Sequence, residues 1–196
     1  MKTLEFFFDF GSPAAFLAWT QLARLAQDTN ATIHYRPMLL GAVFKATGNH
    51  SPAMIPAKGR YMSEDLARFA KRYGQAFTMN PYFPINTLYL MRAATAMSLY
   101  KPQELEHFIR AIYQALWVDQ LNLGDQATLD QVLHQNGFSP QTLNVWLEDD
   151  KVKETLKQTT DEAVARGVFG APTFFVGDQM FFGQDRLDFV KEALTT

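Results

Sequence analysis

The sequence contains no cysteine, and this absence excludes a large part of protein chemistry. Without a thiol the chain forms no disulfide, offers no thiolate to a metal and cannot exchange disulfides with another protein. An excess of one charge is also missing, since 18 basic and 20 acidic residues leave a net charge of −2. We therefore expect neither a nucleic-acid nor a membrane partner.

Targeting and metal-binding signals are equally scarce. The N-terminus lacks the basic start and apolar core of a signal peptide, and no apolar run is long enough to span a bilayer. With no cysteine in the chain, we expect a cytoplasmic protein. The histidines show no metal-ligand spacing, so we expect no metal site; they are His34, His50, His107 and His134.

The chain begins with a pattern typical of a βαβ unit. An apolar run predicts a strand over residues 4–10, buried on both faces. Gly11 and Ser12-Pro13 then predict a tight turn, an N-cap hydroxyl and a proline in the first helical turn. A helix over residues 16–27 and an alternating strand over residues 31–39 follow, which predicts two parallel strands.

The middle of the chain is predicted to be a helical insertion. Residues 41–60 are rich in glycine, proline, asparagine and serine and are predicted to form a functional loop. Helices are then predicted over residues 63–73, 86–99, 102–117, 126–135, 140–147 and 151–166, the last followed by Gly167 in a C′ position. Strands over residues 173–176 and 179–182 and a helix over residues 185–194 complete the order.

This order predicts an α/β fold of βαβ…ββα type with a large all-helical insertion. The terminal strands have to share one sheet, since neither half has enough strands alone. We therefore expect one discontinuous domain made of residues 1–40 and 167–196. Residues 41–166 form the loop and the helical insertion.

Two places carry candidate chemistry. Ser12 lies where a helix N-terminus stabilises an anion, although many such serines only cap the helix. Pro172 follows Gly170-Ala171 at a strand entrance and is a candidate for a cis bond. A cis bond would turn the backbone N–H and C=O of Ala171 outward, toward an extended peptide. Asp185, at the start of the last helix, could accept from an ammonium group or simply cap that helix.

Five segments together resemble the 2-hydroxychromene-2-carboxylate isomerase family, which is close to kappa-class glutathione transferases. That family belongs to the DsbA-like branch of the thioredoxin superfamily. The segments occur in the right order over almost the whole chain; they are FDFGSP at 8–13, KATGN at 45–49, PINT at 84–87, GVFGAPTF at 167–174 and GQDRL at 183–187.

The resemblance implies a thioredoxin-like fold, a bound glutathione and a homodimer. Ser12 matches the active-site serine beside the glutathione sulfur. The other glutathione-binding positions that the resemblance implies are Lys58, Val168, Ala171, Pro172, Gln184 and Asp185, and the substrate-binding ones are Lys45 and Asn86. The family's usual tyrosine four residues after the serine is Phe16 here, which predicts the loss of one hydroxyl near the site.

The implied activity is a glutathione-dependent isomerisation of a small substrate derived from an aromatic compound. Ser12 would hold the glutathione thiolate, which adds reversibly to an unsaturated carbon. Two alternatives stay open at this stage. One is a kappa-like glutathione transferase or peroxidase, which needs the same thiolate. The other is a non-catalytic binding protein with a thioredoxin fold.

Overall fold

A computed structural model describes residues 2–196 and contains one sheet with the strand order β2-β1-β3-β4. The strands are β1 (Thr3–Phe8), β2 (Thr32–Pro37), β3 (Thr173–Val176) and β4 (Gln179–Phe182). β1 runs parallel to β2 and antiparallel to β3, and β4 closes the hairpin antiparallel to β3. The predicted sharing of one sheet by the two ends of the chain is therefore confirmed.

Helices surround this sheet and fill the insertion. In chain order they are α1 (Pro13–Thr29), α2 (Leu40–Thr47), α3 (Pro56–Tyr73), α4 (Leu88–Tyr100), α5 (Leu105–Trp117), α6 (Gln126–Gln135), α7 (Pro140–Leu147), α8 (Asp150–Ala165) and α9 (Leu187–Thr195). Short 3-10 turns occur at Pro52–Met54, Pro102–Glu104 and Gln184–Arg186. The predicted fold class is confirmed, and Gly167 follows α8 with a positive φ of 88°.

The prediction of a loop over residues 41–60 is wrong. That segment contains most of α2, a 3-10 turn and the start of α3. The physical reason is the shortness of α2, which has eight residues and buries only Val43. Two turns of helix with one buried side chain give no detectable hydrophobic period.

The central strand β1 fixes the position of the turn that follows it. Phe6 and Phe8 lie in the main core with α1 and the inserted helices, whereas Phe7 lies in a second cluster with Val168 and Phe175. All three phenylalanines are fully buried. Burying each such side chain stabilises the fold by about 1.5–3 kcal/mol, so the end of β1 is firmly held.

Charged side chains tie α8 to the sheet on the side of the second cluster. Glu5 of β1 accepts hydrogen bonds from Arg36 of β2 and from Arg166, at 3.2 and 3.0 Å. The Arg166 guanidinium also lies 3.7 Å from the centre of the Phe175 ring. These contacts hold the end of α8, from which the chain continues through residues 167–172 into β3.

Within residues 2–196, none of the helices is both long and apolar enough to cross a bilayer.

Candidate active site

Ser12 makes two hydrogen bonds at the start of α1. Its Oγ accepts from the backbone N–H of Ala15 at 3.1 Å, so it is the N-cap that the sequence predicts. The same hydroxyl donates to the backbone carbonyl of Ala171 at 2.9 Å. Ser12 is 5% exposed. The hydroxyl therefore joins the N-terminus of α1 to the segment that precedes β3.

The Ala171–Pro172 peptide bond is cis, as predicted. The prediction that the Ala171 carbonyl turns outward is wrong, because this carbonyl accepts the Ser12 hydroxyl. The Ala171 N–H, by contrast, has no hydrogen-bond acceptor among residues 2–196. The Pro172 carbonyl accepts from Gly183 N–H at 3.0 Å, which connects this segment to the turn after β4.

Asp9 lies beneath the Ser12 turn and organises it. Its carboxylate accepts from Gly11 N–H at 2.8 Å, from Leu40 N–H at 2.9 Å and from the Thr87 hydroxyl at 2.7 Å. Ser12 N–H in turn donates to the Asp9 backbone carbonyl at 3.0 Å. Burial raises the pKa of Asp9, against the opposing effect of these three donors. One buried carboxylate thus fixes the ends of β1, α2 and α4 relative to one another.

No sequence motif assigned a role to Asp9. The available signal was an acidic residue between Phe8 and Phe10, at the end of the predicted buried strand, where a charge is costly to bury unless it is hydrogen-bonded.

The turn at Gln184–Arg186 lies next to the Pro172 segment and is held from the insertion. The Tyr73 hydroxyl, at the end of α3, donates to the Gln184 backbone carbonyl at 2.6 Å. Burial, followed by the charges of Asp188 and Asp185, raises the pKa of Tyr73 to about 12, so this hydroxyl stays a donor at neutral pH. Asp185 is exposed and pairs with the neighbouring Arg186. Like Asp9, Tyr73 carries no sequence signal for this role.

Asn49 connects the segment after α2 to the segment before β3. Its Nδ2 donates to the Phe169 backbone carbonyl at 2.8 Å. The neighbouring Gly170 is packed against Phe182, because a Cβ on Gly170 would lie 2.7 Å from that ring. Asn49 belongs to the KATGN segment, but the sequence did not identify it as a site residue. Its partner lies 120 residues away.

Lys45 and Asn86, predicted to bind the substrate, and Lys58, predicted to bind glutathione, are exposed. Lys45 lies in the last turn of α2 and Lys58 in the first turn of α3, and neither makes an ion pair within residues 2–196. The Asn86 side chain accepts from Leu88 N–H at 3.0 Å, one residue before Thr87, the N-cap of α4. Its neighbour Thr87 reaches Asp9, which places Asn86 close to the Ser12 turn.

Two further predicted positions contribute side chains to the core. Val168 is fully buried with Phe7 and Phe175, so only its main chain could contact a ligand. Phe16 is 3% exposed and its ring packs against Tyr113 at 5.6 Å. The loss of a hydroxyl at position 16 stays a prediction, and the ring itself is part of the core.

The geometry defines a class of site. A serine hydroxyl at a helix N-terminus faces a cis-proline segment, and both lie at one end of the sheet with the Gln184–Arg186 turn. No group of three or more His, Asp or Glu residues in the described chain could hold a metal ion. A helix N-terminus with a hydroxyl and a free backbone N–H can bind an anion such as a thiolate.

The fold and this site define a thioredoxin-like protein with a helical insertion and without a redox cysteine. The family model of the DSBA-like thioredoxin domain matches residues 3–195. The chain therefore belongs to the DSBA-like thioredoxin family, within the group that contains 2-hydroxychromene-2-carboxylate isomerases and kappa-class glutathione transferases.

The relatives come from bacteria and animals. A 2-hydroxychromene-2-carboxylate isomerase of Sphingobium xenophagum is 33% identical over 98% of each chain. Glutathione S-transferase kappa 1 of Homo sapiens is 30% identical over 98% of this chain and 91% of its own. A solved structure of a 2-hydroxychromene-2-carboxylate isomerase superposes with a TM-score of 0.86 at 28% identity, covering 98% of this chain and 94% of that one. The chain is thus an enzyme of the isomerase or transferase type.

Proposed function

We propose that the protein is a glutathione-dependent isomerase of the 2-hydroxychromene-2-carboxylate isomerase type. The observation that carries the proposal is the hydrogen-bonded frame that joins Ser12, Ala171, Pro172 and Gly183 around the N-terminus of α1. This frame offers a hydroxyl, a helix N-terminus and an unpaired backbone N–H in one place. These are groups that bind a peptide carrying a thiolate.

The residues present fit glutathione, a short peptide with two carboxylates, an ammonium group and a thiol. Ser12 and the N-terminus of α1 would hold the sulfur, and the backbone of Ala171 and Pro172 would hold the cysteinyl part. Gln184 and Asp185 would bind the γ-glutamyl group. Lys58 and the main chain of Val168 complete the proposed glutathione-binding set. Bound glutathione would supply the thiolate that this cysteine-free chain lacks, for reversible addition to an unsaturated carbon of the substrate.

Ser12 serves as a hydrogen-bond donor in this proposal, because a serine hydroxyl is a poor base. The Oγ proton now directed at the Ala171 carbonyl can rotate toward a thiolate, while Oγ continues to accept from Ala15 N–H. A donor and a helix N-terminus together lower the pKa of a thiol. Lys45 and Asn86 would position the small, aromatic-derived substrate. A homodimer and a cytoplasmic location remain predictions of the same proposal.

Calorimetric titration with glutathione and with ophthalmate, which carries a methyl group in place of the thiol, tests this assignment. We expect glutathione to bind more tightly than ophthalmate, and Ser12→Ala to reduce that difference. Saturable binding also raises the melting temperature, since a ligand present at 100 times its Kd stabilises the fold by about 2.7 kcal/mol. Equal affinities for the two peptides in the wild-type protein would contradict the role given to Ser12.

A kappa-like glutathione transferase is the second candidate, favoured by the human relative that aligns over nearly the whole chain. Both reactions use the same thiolate, so binding measurements do not separate them. Comparing the turnover of a chromene carboxylate with that of 1-chloro-2,4-dinitrobenzene separates the two functions. Faster turnover of the chromene carboxylate supports the isomerase, and the reverse supports the transferase.

A further inference from the structure

The start of α4 is joined to the segment that leads into Ser12. The Thr87 hydroxyl donates to the Asp9 carboxylate at 2.7 Å, and one helical turn later the Met91 sulfur accepts from Phe10 N–H at 3.4 Å. Residues four apart lie on the same side of a helix, so both contacts come from one side of α4. The start of α4 is therefore held at two points against this segment.

Thr87 also packs directly against Gly11, the residue before Ser12. A Cβ on Gly11 would lie 3.3 Å from the Thr87 methyl group and 3.3 Å from the Asp9 carboxylate, which is closer than most side chains accept. Thr87 is 9% exposed. The threonine side chain therefore lies between the Ser12 turn and α4, in contact with both.

The Thr87 hydroxyl does not cap its own helix. A threonine at an N-cap usually accepts a hydrogen bond from a backbone N–H two or three residues further along the chain. Thr87 is the N-cap of α4 and makes no such bond, and the Asn86 side chain accepts from Leu88 N–H instead. The hydroxyl contacts Asp9, which is 78 residues away in the sequence. A local capping role therefore does not account for this hydroxyl.

We propose that Thr87 is a positioning residue of the active site, which holds Asn86 at a fixed place relative to Ser12. The inference rests on the proposed function, in which Ser12 holds the glutathione thiolate and Asn86 contacts the substrate. The thiolate and the unsaturated carbon have to meet in the right geometry, and a displacement of about 1 Å can lower the rate about a hundredfold. Asn86 is exposed and its side chain bonds to Leu88 N–H at the same helix end, so its place relative to Ser12 is set through Thr87.

Asp9 is the fixed point of this arrangement. Its carboxylate also accepts from Gly11 N–H at 2.8 Å and from Leu40 N–H at 2.9 Å. Removing the Thr87 hydroxyl leaves these two hydrogen bonds in place, so the Ser12 turn should keep its form. The expected change is therefore confined to the substrate side of the site.

Thr87→Val tests the proposal, because valine keeps the shape of threonine and lacks its hydroxyl. We expect kcat/KM for a chromene carboxylate to fall at least about tenfold, while the Kd of glutathione stays unchanged. Thr87→Ser keeps the hydroxyl and should restore most of the activity. Thr95→Val is the matched control, since Thr95 is a buried threonine of the same helix whose hydroxyl donates to the Met91 carbonyl at 2.9 Å. It should leave kcat/KM unchanged, whatever its effect on the melting temperature.

The pKa of the Asp9 carboxyl, followed by carbon-13 NMR, is a readout that does not require activity. The Thr87 hydroxyl lowers this pKa, so Thr87→Val should raise it and Thr87→Ser should not. The proposal is overturned if Thr87→Val leaves that pKa or kcat/KM unchanged, or if the affinity for glutathione falls in parallel with kcat/KM. A wild-type protein that neither binds glutathione nor turns over the substrate overturns the proposed function, and the role of Thr87 with it.

Discussion

The two halves of the proposed active site differ in how they are held. On the hydrogen-bonded half, Ser12, Ala171, Pro172 and the Gln184 turn are linked by hydrogen bonds to one another and to Tyr73. On the exposed half, Lys45 of the proposed substrate site and Lys58 of the proposed glutathione site project from the ends of helices without an ion pair within residues 2–196. The difference suggests a fixed frame around the proposed thiol site, and two lysines that can be changed with little cost to the fold.

The largest effect is expected at Asp9, which supports the Ser12 turn of the hydrogen-bonded half. Asp9→Asn keeps one acceptor oxygen but turns the other into an NH₂ donor, which cannot accept from its former partner. A buried donor left without an acceptor costs about 1–3 kcal/mol, and we expect that loss in the free energy of unfolding. Urea unfolding measures it. Asp178→Asn, in the exposed β3–β4 turn, is the matched control and should change nothing.

The pH dependence at Asp9 has a definite sign. Burial raises the pKa of Asp9 above its ordinary value of 3.8, so the folded protein holds this proton more tightly than the unfolded chain. The free energy of unfolding should therefore fall as the pH rises from 3.8 through the folded-state pKa, and level off above it. The Asp9→Asn variant should not show this fall in the free energy of unfolding. A wild-type profile parallel to that of the variant would contradict the assignment.

A smaller effect is expected at Tyr73, which holds the Gln184 turn of the hydrogen-bonded half. Tyr73→Phe removes the hydrogen bond to the Gln184 carbonyl while keeping the ring. The loss of one such bond corresponds to about 1 kcal/mol, or roughly a fivefold weaker binding of glutathione. The pKa of the bound thiol should stay the same. Tyr61→Phe, which changes an exposed tyrosine of the same helix, is the control. Equal effects of the two substitutions on glutathione binding would contradict the role given to Tyr73.

The smallest effects are expected at Lys58 and Lys45, on the exposed half. Lys58→Ala should weaken glutathione and Lys45→Ala should raise the KM for the substrate, each about two- to fivefold, because exposed charge pairs contribute little. Raising the salt concentration should shrink both effects. Melting temperatures should not change. Lys71→Ala, at the other end of α3, should affect neither constant; a large loss of stability in Lys58→Ala would break the comparison between the two halves.

Much of the fold could be predicted from local signals. The β3–β4 hairpin and helices α6 and α7 have the predicted bounds, and the two helices begin after the capping residues Asp125 and Ser139. The Ser12-Pro13 start of α1 is equally local. These features depend on residues within one or two turns of one another, which is the range over which sequence patterns are informative.

The contacts of the candidate site that could not be predicted join residues far apart in the sequence. Asp9 meets Leu40 and Thr87, Asn49 meets Phe169, and Tyr73 meets Gln184, across 31 to 120 residues. No periodicity encodes such pairs. The helix α2 was missed for a different reason, because its eight residues bury a single side chain.

The pKa of the glutathione thiol in the bound state tests the central claim most directly. It is measured from the ultraviolet absorbance of the thiolate as a function of pH, at saturating protein. A cysteine thiol has a pKa of about 8.5 in water, and we predict a value at least about one unit lower in the wild-type complex. Ser12→Ala should return it toward the free value, whereas Ser63→Ala should not. An unshifted pKa, or the same shift with and without the Ser12 hydroxyl, would contradict the account.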